Sequence, residues 1–237
     1  MTLRLDWVVF DAHDPGRLAR FWAELLERDS SDGIYGPQLP GAAGQLGLAF
    51  CARPEARSGP NRAHLHLTST THRDMDATVA SALRLGASHL DVGQTPDEGH
   101  VVLADPEGNE FCVIPPGNAY LEGCGVLGEL NGEGTRELGQ FWSSALDWPL
   151  VWDRDGETAV QAPAGGTKIS WSGPPVAPVT GRIRQHLALS TDDLDGDLAR
   201  LLALGASRVA RRGPDGTFRL ADPDGQELWL RERPDAG

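Results

Sequence analysis

The chain has 237 residues, with Lys plus Arg at 21, Asp plus Glu at 34 and a formal net charge of −13. So acidic a chain excludes nucleic-acid and anionic-membrane partners, both of which need a basic face. The length allows one large domain or two small ones, 40% hydrophobic residues can fill a core, and 29 Gly with 17 Pro predict short elements joined by many turns.

Residues 5–11 (LDWVVFD) are β-branched and aromatic and predict a strand. Asp14-Pro15 then starts a helix, Asp as the N-cap acceptor and Pro at the first turn. Leu18, Phe21, Trp22 and Leu25 give that helix one apolar face. A strand is expected at 45–51, after a Gly-rich stretch. A second unit opens with a strand at 63–68 and a helix over 74–85, stopped by Gly86. Short strands follow near 88–92, 100–104 and 110–114. Asp105-Pro106-Glu107-Gly108 matches a type I turn and joins the last two as a hairpin. Each unit therefore reads β-α-β-β-β.

From about residue 120 the pattern returns. Phe21-Trp22 recurs as Phe141-Trp142, and His64-Leu65 as His186-Leu187. Leu85-Gly86-Ala87-Ser88 recurs as Leu204-Gly205-Ala206-Ser207, and Ala104-Asp105-Pro106-Glu107-Gly108-Asn109-Glu110 as Ala221-Asp222-Pro223-Asp224-Gly225-Gln226-Glu227. A period of about 120 residues is the size of a domain, not of a solenoid repeat. The expected domains are 1–117 and 118–237, with the break at Pro115-Pro116-Gly117-Asn118. Helices of the second copy are expected near 134–146 and 192–204.

The doubled β-α-β-β-β unit, the Phe-Trp pair late in the first helix and the Asp-Pro-x-Gly-x-Glu hairpin resemble the vicinal oxygen chelate superfamily. That group takes in glyoxalase I, bleomycin-resistance proteins and extradiol dioxygenases, and the likeness is to its bacterial glyoxalase-like branch. The resemblance covers nearly the whole chain and implies an α+β fold of tandem βαβββ half-modules forming two cup-shaped domains. It also implies a metal-ligand scheme. The carboxylate of the last strand maps to Glu110 and Glu227, and the His of the strand opening the second half maps to His64 and His186. The first-strand ligand, found by counting back from Phe-Trp, maps to Trp7 and Leu127, which cannot bind a cation. The fourth-strand carboxylate has no match in 45–51 or 167–172.

Alternation places His64, His66 and Thr68 together on the inward face of their strand, and Glu110 with Cys112 on the inward face of theirs. His64, His66 and Glu110 thus offer a His-His-carboxylate set. Counting two residues on from Leu127 puts Glu129 on the vacant ligand face, so Glu129, His186 and Glu227 are expected to converge as a cation site or an acid–base pair, with Glu129 and Glu227 as catalytic candidates. Trp7, His66, His186 and Trp229 are candidate ligand-binding residues. Ordinary structural roles compete with each of these: a hydrogen-bonded strand histidine, core tryptophans, Asp105 and Asp222 as turn residues, Asp192, Asp193 and Asp195 as helix N-terminal charge.

Two classes of function stay open. One is a binder of a small oxygenated molecule, motivated by the vacant first-strand positions. The other is a lyase, isomerase or dioxygenase using a divalent metal (Zn, Mn, Fe or Ni). One metal and none are equally compatible with the residues. The expected partner is a small molecule, with neither nucleic acid nor membrane, and the chain as a monomer or homodimer. Three cysteines without a CxxC, no secretory pattern at the N-terminus and no apolar run of about 18 residues lead to a cytoplasmic expectation.

Overall fold

A computed structural model describes residues 3–42, 44–53, 61–177, 184–210 and 216–233. The β-α-β-β-β unit occurs four times. The first is β1 (Arg4–Ala12), α1 (Pro15–Leu26), β2 (Ser31–Gly33), β3 (Gly36–Leu39) and β4 (Gly47–Ala52). The second is β5 (Ala63–Leu67), α2 (His72–Leu85), β6 (Ser88–His89), β7 (Val101–Ala104) and β8 (Glu110–Val113). The third is β9 (Leu127–Gly132), α3 (Arg136–Leu146), β10 (Leu150–Arg154), β11 (Glu157–Gln161) and β12 (Lys168–Trp171). The fourth is β13 (Gln185–Thr191), α4 (Leu194–Ala203), β14 (Ser207–Arg208), β15 (Phe218–Ala221) and β16 (Glu227–Glu232).

The helices start on side-chain caps that the sequence supplies. Asp14, Thr71, Thr135 and Asp193 each accept a backbone N–H three residues on. Three helix starts therefore differ slightly from expectation: α2 begins at His72 behind Thr71, α3 at Arg136 behind Thr135, and α4 at Leu194 behind Asp193.

Eight strands form each of two mixed sheets. Sheet A runs β14-β15-β16-β13-β1-β4-β3-β2, and sheet B runs β10-β11-β12-β9-β5-β8-β7-β6. Each sheet joins a unit from one sequence copy to a unit from the other: β1 pairs antiparallel with β13, and β5 with β9. The two cups are thus not the two sequence copies. One convex face of each sheet, with the helices, builds a shared core that holds Phe10, Phe50, Leu65 and Phe111.

The repeated motifs tie the units of one copy together. The Trp22 indole N–H donates to Asp105 Oδ2 at 3.1 Å, and that of Trp142 to Asp222 Oδ2 at 3.3 Å. Glu107 accepts the backbone N–H groups of His13 and Asp14 ahead of α1. Asp224 accepts the N–H and hydroxyl of Thr135 ahead of α3. Phe-Trp and Asp-Pro-x-Gly are therefore the two halves of one helix-to-turn clasp, present twice.

Candidate functional site

The concave faces are read from strand register. In sheet B, His66 lies opposite Glu129 on one side and Cys112 on the other. The next pair along places His64 opposite Asn131. A β-bulge at Gly128 sets the phase: Leu127 pairs with Leu67 and joins the helix-side core, while Glu129 turns into the cup. β1 has the same shift between Leu5 and Trp7. Two corrections follow. Glu129, not Leu127, is the counterpart of Trp7, because the connection from β9 to the Phe-Trp pair is two residues shorter than that from β1. And Glu129 does not converge with His186 and Glu227, because β9 belongs to sheet B while β13 and β16 belong to sheet A.

What Glu129 meets instead is a hydrogen-bonded chain. Its Oε2 lies 2.7 Å from His66 Nδ1, and its Oε1 accepts the Tyr120 hydroxyl at 2.8 Å. His66 Nε2 lies 2.8 Å from His64 Nε2. Glu129 accepts only, so His66 Nδ1 carries a proton, and one proton sits between the two Nε2 atoms. Burial, and then the His66 charge, push His64 down to about 4 and keep it neutral. Burial would raise the Glu129 carboxyl, but hydrogen bonds from His66, Ser170 and Tyr120 and the His66 charge outweigh it, and Glu129 stays anionic. Burial, then Glu129, push the Cys112 thiol up to about 12.

The ligand atoms of His64, His66 and Cys112 all lie within 4.8 Å of one another. Glu110 is not in that group; its Oε2 accepts the Asn61 N–H at 3.4 Å. Beyond Glu129 the cup opens into a cavity of about 230 Å³. Tyr120 and Trp152 wall it, and Asn131, Ser170, Ser172 and Glu157 bring polar groups to it. Tyr120, Asn131 and Trp152 were not singled out from sequence. Register with Glu129 and His64 finds Asn131, but only after the bulge is known.

Sheet A repeats the geometry with different chemistry. Where sheet B has Glu129, His66 and Cys112, sheet A has Trp7, Ala188 and Trp229. His186 and Glu227 keep the positions of His64 and Glu110. His186 is 2% exposed and stacks on Trp229 at 4.7 Å and 15°. Its ring nitrogens make no hydrogen bond among the described residues; Asp11 Oδ2 lies at 3.5 Å and Glu227 Oε1 at 4.0 Å. The Trp229 indole N–H donates to Glu227 Oε1 at 2.6 Å. Val9, Tyr35, Ala49, Ala188 and Trp229 pack as a buried apolar cluster with Trp7 against it. That half of cup A is filled by its own side chains.

The model of the glyoxalase-like domain matches residues 7–114 and again 130–230. Among solved structures, glyoxalase I from Zea mays superposes with a TM-score of 0.65 at 14% identity, over 98% of this chain and 92% of that one. A putative dioxygenase from Bacillus subtilis subsp. subtilis str. 168 superposes with a TM-score of 0.61 at 13% identity, over 98% and 86%. Such identities bear on the fold alone. No curated protein sequence matches.

Proposed function

The chain belongs to the glyoxalase-like domain family, and from that premise we propose that it binds a small oxygenated molecule in the cup of sheet B, beside a divalent metal held by His64 and His66. The observation that carries this reading is the chain Tyr120–Glu129–His66–His64, whose Tyr120 and Glu129 line a cavity walled by Tyr120 and Trp152 and whose other end is the His66–His64 pair. The donor set suits a borderline cation: two imidazole Nε2 atoms with the Cys112 sulfur nearby. Glu129 on His66 Nδ1 is the kind of carboxylate partner that orients a metal-bound imidazole. Binding there displaces the proton shared by the two Nε2 atoms. Such a metal, when bound, polarises substrate oxygens as a Lewis acid.

The chain's own groups do the rest. Glu129 fixes the His66 tautomer and ring plane, burial keeps His64 uncharged, and Tyr120 and Trp152 give an oxygenated molecule an aromatic wall. Glu129 is anionic beside the cavity and can hold a proton released there, which keeps a lyase or isomerase reaction within reach of these residues.

Calorimetric titration of 1,2-diols and 2-hydroxy acids tests the reading, with the protein stripped of metal and then loaded with Zn, Mn, Fe(II) or Ni. Saturable binding that needs the metal and weakens about tenfold (about 1.4 kcal/mol) in Trp152→Ala supports it. Binding of neither metal nor any such molecule refutes it.

A further inference from the structure

The open end of cup A holds a different set of groups. A cavity of about 820 Å³ is bordered by Arg4, Asp6, Trp7, Gln38, Trp148 and Arg231. Register explains why both arginines border it. Arg4 on β1 and Arg231 on β16 both lie opposite Ser190 of β13, one on each side. They share the cup face with Trp7, two strand spacings apart, about 9–10 Å between backbones. Neither guanidinium has a hydrogen bond or an ion pair among the described residues. Gln38 pairs with Ala49 and so faces the same cup. It is 7% exposed, and its Nε2 has no hydrogen-bond partner among the described residues. A buried amide donor without a partner costs stability unless something accepts from it.

We propose that this end of cup A is a second, metal-free binding site for a planar aromatic carboxylate. Each group has a part that fits this class of ligand. The Trp7 indole presents a flat face for a ring. Two unpaired guanidiniums converge on a carboxylate, which Arg binds through two parallel N–H groups. The Gln38 amide donates to a further oxygen of the ligand. The cavity is large enough for a substituted ring. Asp6 contributes one negative charge against two positive, so the site is locally cationic on a chain of net charge −13. An anion that binds here overcomes the repulsion of the whole molecule through these two contacts, and added salt weakens it.

The site uses none of the groups invoked for sheet B, so the two readings fail separately. The test is calorimetric titration with benzoate and benzene-1,3-dicarboxylate, with benzyl alcohol supplying a ring without charge and acetate a charge without a ring. The expected result is saturable binding of the ring carboxylates alone. That binding falls at least tenfold in Arg4→Gln and in Arg231→Gln, falls in Trp7→Leu, and is unchanged in His64→Ala. Arg4 is exposed and Arg231 half-buried, so both variants should melt with the wild-type protein; Trp7→Phe is the substitute if Trp7→Leu does not fold. No binding of either ring carboxylate overturns the proposal. So does undiminished binding in the double arginine variant, or acetate binding as tightly as benzoate.

Discussion

At the scale of single residues, the indole N–H of Trp142 and the carboxylate of Asp222 show how this chain uses buried polarity. Asp222 is 3% exposed and also accepts the backbone N–H groups of Asp224 and Gln226. Burial pushes its carboxyl up to about 7, more than those hydrogen bonds pull it down. The unfolded chain ionises this group near 3.8. Between those values the native state holds a proton that the unfolded state has lost, so this group's contribution to stability falls as pH rises from about 4 to about 7. Urea unfolding across that range should show the decline in the wild type relative to Asp222→Asn; parallel curves would contradict it. Removing the indole donor strands a buried acceptor, so Trp142→Phe should cost about 1–3 kcal/mol, read by the same unfolding measurement. These paired motifs were visible in the sequence as repeats. Their meaning as a clasp was not, because donor and acceptor lie 80 residues apart.

At the scale of elements, the sequence shows strands and helices better than it shows phase. The β-α-β-β-β order is legible because caps, apolar faces and turn signals agree locally. The face of Leu127 is not legible, because one bulge residue reverses a strand's alternation and Gly128 leaves no hydrophobic signature. The same bulge moves Leu127 into the core and brings Glu129 to His66. Gly128 is required for lack of room: a Cβ there would lie 2.5 Å from Thr68 Cγ2. Gly128→Ala should therefore destabilise the fold by about 1–3 kcal/mol. Thr68→Ser removes that methyl group and keeps the hydroxyl, which donates to Gly125 O, so the double variant should recover most of the loss. A double variant no more stable than Gly128→Ala would place the strain elsewhere.

At the scale of the whole molecule, the repeat in the sequence and the sheets in space divide the chain differently. The two units of each copy meet through helix and turn, while the cups are made by strands from opposite copies. Sequence similarity reveals the copies but carries no record of which edges pair. Residues 1–117 alone would leave β1 and β5 as unpaired edges, and such edges seek partners. The two halves expressed separately should therefore self-associate or stay unfolded, and co-expressed they should copurify as one complex; a stable monomeric half, seen by size-exclusion chromatography, would contradict the pairing. The exchange of units also explains why the candidate site was only half readable. His64 and His66 were found from one copy and Glu129 from the other, but their meeting depends on β5 lying beside β9.

The division of labour between the cups is the central claim: sheet B keeps the polar row Glu129, His66 and Cys112, and sheet A replaces it with Trp7, Ala188 and Trp229. Metal stoichiometry in paired variants tests it most directly, measured by titrating Co(II) into metal-free protein and following its absorption. The account predicts one ion per chain, with a thiolate-to-cobalt band that is lost in Cys112→Ser, no binding in the His64→Ala, His66→Ala double variant, and full binding in His186→Ala. Binding that survives the sheet B double variant and disappears with His186→Ala would contradict it.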